Sequence, residues 1–147
     1  MDTLAIDPGT ITGWALLRGS QILSGTWDLK GSRWEGGGMR FVRLRNYLHE
    51  IGKVDQVLFE EVRRHLGTDA AHVFGGMIAT IQAWCEDNQI PYQAIPVGTI
   101  KRMATGKGNA DKTAMLEAAR AKWPDQQVRD DNQADALWLL EYGLSGA

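Results

Sequence analysis

The sequence predicts an α/β domain with a five-stranded mixed sheet flanked by helices. Three observations carry this prediction. Short apolar runs of strand length alternate with longer segments whose apolar residues recur at helical spacing. The first three runs are separated by tight turns, which suits an antiparallel meander, and the later runs are interleaved with helices, which suits parallel additions through right-handed crossovers. The 147 residues, 44% hydrophobic and 23% charged, have ordinary globular usage and the length of one domain, 1–147.

Residues 3–6 form a buried strand, closed by the turn Asp7-Pro8-Gly9-Thr10. Residues 13–17 and 21–27 are the second and third strands, joined through Arg18-Gly19-Ser20. After Gly36-Gly37-Gly38, the positions Phe41, Leu44, Leu48 and Ile51 step by three, four and three, which is one helix face. Residues 55–59 are the fourth strand. Val73, Phe74, Met77, Ile81, Trp84 and Cys85 mark an amphipathic helix over 68–88. Residues 91–96 are the fifth strand, and helices over 110–123 and 131–142 follow. The stretch from Pro96 through Lys101 to Lys107 is expected to be a lysine-bearing loop.

Composition excludes several classes. The single cysteine, Cys85, forms no internal disulfide and no cysteine metal site, which suits a reducing cytoplasmic setting. The longest apolar run, Ala136-Leu137-Trp138-Leu139-Leu140, falls far short of the ~20 residues of a membrane helix. Met1-Asp2-Thr3 lacks the positive start of a signal peptide, so a soluble protein with no membrane partner is expected. A net charge of −2 argues against a non-specific nucleic-acid coat, but the charge is segregated. Lys30, Arg33, Arg40, Arg43 and Arg45 form one basic cluster, Arg63-Arg64-His65 a second, and Lys101, Arg102, Lys107 and Lys112 a third; Asp125, Asp130, Asp131 and Asp135 lie apart. That pattern suits a polyanion on one face and cations at another, although solvated helix faces produce it too.

The acids are the candidate chemistry. Asp7 ends an apolar strand, held extended by Pro8, with Gly9 allowing a tight turn; alone, it could equally be a turn aspartate bonding its own backbone. Glu60 ends a second apolar strand, and its neighbour Glu61 must point to the opposite face. If the two strands are neighbours, Asp7 and Glu60 stand side by side at the sheet edge where open α/β sheets keep their sites. In a helix, Asp131 and Asp135 share a face, as do Asn132 and Asp135. Asp130 and Asp131 also suit the helix cap, whereas Asp135 interrupts an apolar stretch and needs a partner. Converging carboxylates repel, and hard divalent cations relieve that, so Mg²⁺ or Mn²⁺ is the natural occupant, as a pair of ions suited to phosphodiester hydrolysis. The segment Thr105-Gly106-Lys107-Gly108-Asn109-Ala110-Asp111-Lys112 suits a phosphate backbone but lacks the order of a nucleotide P-loop, so no nucleotide cofactor is expected.

Ala5-Ile6-Asp7-Pro8-Gly9, Phe59-Glu60-Glu61-Val62, Gly106-Lys107-Gly108-Asn109-Ala110-Asp111-Lys112 and Ala134-Asp135-Ala136-Leu137 occur in the order seen in RuvC-like Holliday junction resolvases. The chain resembles that family over nearly its whole length, and looks most like its short phage or prophage branch. The resemblance implies an RNase H-like fold, a homodimer, and Mg²⁺-dependent cleavage of four-way DNA junctions by paired nicks. It carries Asp7, Glu60 and Asp135 onto the metal-binding acids, and Lys101 and Lys112 onto basic residues beside the scissile phosphate or on the DNA path. Arg40, Arg63, Arg64 and Lys107 are the further candidate DNA contacts. The family's fourth ligand, an Asp or His, stands three residues before the last aspartate, where this chain has Asn132; either the Asn132 amide oxygen or Asp131 takes that role.

Two alternatives compete. Asp7-Pro8-Gly9-Thr10 also suits the opening hairpin of an actin/Hsp70-like ATP-binding module, but that fold needs two lobes and this chain has room for one. A catalytically inactive junction-binding protein would not need the acids. Trp84 and Trp138 lie on apolar helix faces and belong to the core, while Trp27 and Trp34 flank the basic cluster and are candidates to stack on bases.

Overall fold

The computed structural model describes residues 1–61 and 67–145. Its elements are β1 (Thr3–Asp7), β2 (Ile11–Arg18), β3 (Gln21–Asp28), α1 (Met39–Ile51), β4 (Gln56–Glu61), α2 (Thr68–Asp87), β5 (Tyr92–Pro96), α3 (Val97–Thr105), α4 (Lys112–Lys122), a 3₁₀ turn (Pro124–Gln126) and α5 (Asp131–Leu144). The five strands lie in the order β3-β2-β1-β4-β5. β1, β2 and β3 form the antiparallel meander, and β4 and β5 add in parallel, so the mixed sheet stands as expected.

Alternation along each strand divides the core in two. Leu4 and Ile6 of β1, with Val57 and Phe59 of β4, face α1 and α2, where they meet Leu44, Leu48, Met77, Ile81 and Trp84. Ala5 and Ala15, with Leu58, face the other way onto Ala134, Leu137 and Leu140 of α5 and Met115 and Ala119 of α4. Among the described residues, no helix is long and apolar enough to cross a membrane.

Two expectations are corrected. The stretch after Pro96 is the nine-residue helix α3, with Pro96 at its N-cap and Gly106, at φ 83°, closing its last turn through an N–H bond to the Arg102 carbonyl. Gly106 is therefore a helix-terminating glycine, and the connecting turn shrinks to residues 106–111. Trp27 is 6% exposed and stacks between Trp14 and Tyr47, with ring centroids 5.7 and 5.1 Å away. It is a core residue and cannot meet a base.

Candidate metal centre

Asp7 is the last residue of β1, and the turn after it is closed by Thr12, whose hydroxyl donates to the Gly9 carbonyl at 2.7 Å. Asp7 is thus released from turn-making. The parallel register Leu4↔Val57, Ile6↔Phe59 carries on to set Asp7 beside Glu60, both directed to the α5 face. Glu60 is buried, at 7% exposure.

α5 brings the third acid. Asp130 is its N-cap, accepting from the Gln133 N–H at 2.8 Å, which leaves Asp131 free of capping. The helix approaches so closely that a Cβ on Gly13 would lie 1.9 Å from the Asn132 carbonyl oxygen. Only glycine fits opposite that backbone. One turn further along the helix, Asp135 meets the other two acids: single carboxylate oxygens of Asp7, Glu60 and Asp135 lie within 4.8 Å of one another.

Burial, the Glu60 carboxyl in hydrogen-bond contact, and the charges of Asp135 and Asp131 hold the Asp7 carboxyl well above the usual carboxylate range. Asp135 is pushed up to about 8, first by burial, then by Glu60 and Asp131, against the opposing pull of Lys101 and Lys112. Three hard oxygen donors in reach of one point, two of them (Asp7 and Asp135) with ionisation suppressed by burial and then by neighbouring carboxylates, fit a hard divalent cation, which would favour their charged forms.

The remaining candidates take different places. Asp131 lies outside the three-oxygen cluster but acts on both aspartates electrostatically, and its carboxylate is 3.8 Å from the Lys112 ammonium. Asn132 sits with its backbone carbonyl against Gly13. Lys101 lies on α3, half-buried, and Lys112 opens α4 with its side chain 86% exposed. Lys107 is exposed on the 106–111 turn, and Arg40 is partly buried in the first turn of α1. Arg63, Arg64 and His65 lie outside the described residues.

Sequence reasoning missed Gln133. It is 4% exposed and its side chain is fully engaged: Oε1 accepts from the Arg129 N–H at 2.9 Å, and Nε2 donates to Ser24 Oγ and the Gln126 carbonyl at 3.0 and 3.3 Å. These bonds fasten the start of α5 to β3. A glutamine among the alanines and leucines of an apolar helix was the available signal.

No protein-family model matches the chain, and no curated protein sequence does. Solved structures do. The chain is similar to T. thermophilus RuvC in complex with Holliday junction substrate, at TM-score 0.80 and 21% identity, over 99% of this chain and 96% of that one. It is similar to the fowlpox virus Holliday junction resolvase at TM-score 0.61 and 11% identity over 100% of both chains. The yeast mitochondrial Holliday junction resolvase Ydc2 matches at TM-score 0.59 and 14% identity, over 93% of this chain and 76% of that one. These likenesses establish that the five-stranded mixed sheet and its flanking helices form the RNase H-like fold of those structures.

Proposed function

We propose that this protein is a divalent-metal-dependent endonuclease that resolves four-way DNA junctions by paired symmetric nicks. One observation carries the reading: Asp7, Glu60 and Asp135 converge at one edge of the sheet, on a fold shared with three Holliday junction resolvases. T. thermophilus RuvC is solved in complex with a Holliday junction substrate, and branched DNA is the substrate we infer for this chain.

Asp7, Glu60 and Asp135 would hold Mg²⁺, with Mn²⁺ as a substitute, and Asp131 or Asn132 would complete the donor set. A pair of such ions would supply a water of lowered pKa and neutralise charge building on the phosphodiester. The chain supplies the rest. Glu60, buried, stands in hydrogen-bond contact with Asp7, in the place the β1–β4 register gives it. Lys112 sets a positive charge at the rim of the acidic cluster, where it can offset charge on a scissile phosphate. Lys101 stands near Asp135, and Lys107, Arg40, Arg63 and Arg64 are assigned to the DNA backbone, where each neutralised phosphate adds salt-dependent affinity. A junction offers two equivalent strands, so a two-fold homodimer would present two equivalent sites. The cytoplasm is the compartment we infer for this chain, in keeping with its single, unpaired cysteine.

The test is incubation with a labelled synthetic four-way junction and a linear duplex, with and without Mg²⁺. Symmetric nicks in the junction alone, and only with Mg²⁺, are expected. A junction left intact at every Mg²⁺ concentration refutes the proposal. Light scattering checks the assembly: full resolving activity at monomer mass refutes the dimer.

A further inference from the structure

The loop between β3 and α1 holds Trp34 in water, 82% exposed. This loop is pinned on both sides. Leu29 is fully buried, and its N–H donates to the Thr10 carbonyl at 2.8 Å, tying the loop's start to the turn that follows Asp7. On the other side, Glu35 pairs with Arg43 of α1, each side chain less than one-third exposed at 29% and 28%. Between the pins, the Glu35 N–H donates to the Ser32 carbonyl at 3.2 Å and the Trp34 N–H to Ser32 Oγ at 3.3 Å. Arg33 lies over the indole with its guanidinium 4.5 Å from the ring centroid.

The sheet register fixes where this loop stands. Asp28 at the end of β3 pairs with Ile11 at the start of β2, so the loop leaves from the same edge at which β1 and β4 deliver Asp7 and Glu60. An indole costs free energy to leave in water, and a fold that buries Trp27 and Trp84 with Leu-rich neighbours has the means to bury one. Here a tethered loop holds it out instead. The surroundings select the partner. Lys30 and Arg33 are exposed beside it, and the loop's own acid, Glu35, is already matched by Arg43. A flat aromatic face backed by a cation within a basic surface suits a nucleobase attached to a phosphate chain.

We propose that Trp34, with Arg33 on one of its ring faces, is a stacking platform for an unpaired base at the branch point of the DNA held at the acidic cluster. The inference rests on the function proposed above and adds to it a residue that recognises branching rather than backbone charge. A fully paired duplex keeps its bases stacked on one another and offers the indole nothing, so the contact discriminates between substrates.

The experiment uses a four-way junction carrying 2-aminopurine at the branch point, and a linear duplex carrying it at its centre, both in Ca²⁺ to suppress cleavage. Wild type is expected to quench the junction's fluorescence on binding. Trp34→Ala should lose the quench and roughly tenfold in junction affinity, with duplex affinity unchanged. Trp34→Phe should restore most of both, and unchanged melting temperatures would show that both variants fold. Wild-type affinity and quenching in Trp34→Ala overturn this inference while leaving the nuclease reading intact. A wild type that neither binds nor cuts the junction overturns that reading, and this inference with it.

Discussion

The two faces of the sheet are packed differently. Beneath α1 and α2 the side chains are large: Trp14, Trp27 and Tyr47 stack in a row, and Phe59, Met77 and Leu48 fill the space beside them. Beneath the start of α5 the strand residues are small, with Gly13, Ala5 and Ala15 facing the helix, while Leu58, Leu137, Leu140 and Met115 supply the bulk elsewhere on that face. The first face removes much apolar area from water and so contributes most to holding the sheet. On the second, small side chains let a helix backbone come down almost onto the strands. Precision at the acidic cluster thus comes from the absence of bulk where α5 starts, at Gly13, Ala5 and Ala15.

The largest expected effect falls on the small-residue face. Asp7→Asn should reduce junction nicking below detection, while gel-shift affinity for the junction stays within about twofold because affinity comes from basic groups. Wild-type nicking in that variant breaks the assignment. On the bulky face, Trp27→Ala should cost about 3–5 kcal/mol by urea denaturation, with nicking retained at temperatures where the variant is folded. A matched pair of glycines sharpens the contrast. Gly13→Ala drives a methyl into the Asn132 backbone, whereas Gly76→Ala meets only the tip of the Phe41 ring, which can swing aside. The first should cost about 1–3 kcal/mol and abolish nicking through displacement of α5; the second should cost less and leave nicking intact. Equal losses of activity in the two would dissolve the distinction between the faces.

The smaller effects concern charge. Lys112→Ala should slow single-turnover nicking at saturating enzyme about tenfold. Lys107→Ala should leave that rate unchanged and reduce the salt slope of binding by about one. The raised carboxyls of Asp7 and Asp135 give the metal-free protein a pH dependence of defined sign. The folded state keeps protons that the unfolded chain releases at about pH 4, so their stabilising contribution is complete below that pH. It is lost as pH rises from there through about 8, the Asp135 value. Melting curves in EDTA should therefore fall over this window, and Mg²⁺ should raise the melting temperature more at pH 8.5 than at pH 6.

The succession of strands and helices and the three acids were legible because both follow from short-range patterning, whereas the order β3-β2-β1-β4-β5, which makes β1 and β4 neighbours, came only with the structure. Apolar runs ending in Asp7 and Glu60, and one acid inside an apolar helix, state their own conflict between burial and charge. Helix α3 was not legible. Gly98, with the β-branched Val97, Thr99 and Ile100, weakens any helical signal, and the helix forms because Ile100 is buried with Ala110 and Met115, a tertiary cause absent from local pattern. Trp27 was misplaced because basic neighbours in sequence outweighed its inward position opposite Thr12 in the ladder. Asp130 and Asp131 were both candidates for the cap; only the Gln133 N–H, taken by Asp130, separates them. Gly13, unremarkable in sequence, sets how near α5 can come.

The three acids also define when the molecule can act during its own synthesis. Asp7 and Glu60 become neighbours once β4 has paired with β1, but Asp135 is made 75 residues after Glu60 (135 − 60). A chain still emerging from the ribosome can thus complete the sheet around two carboxylates and hold no working centre. On the function proposed here, a translation product truncated before Asp135 is unable to nick DNA.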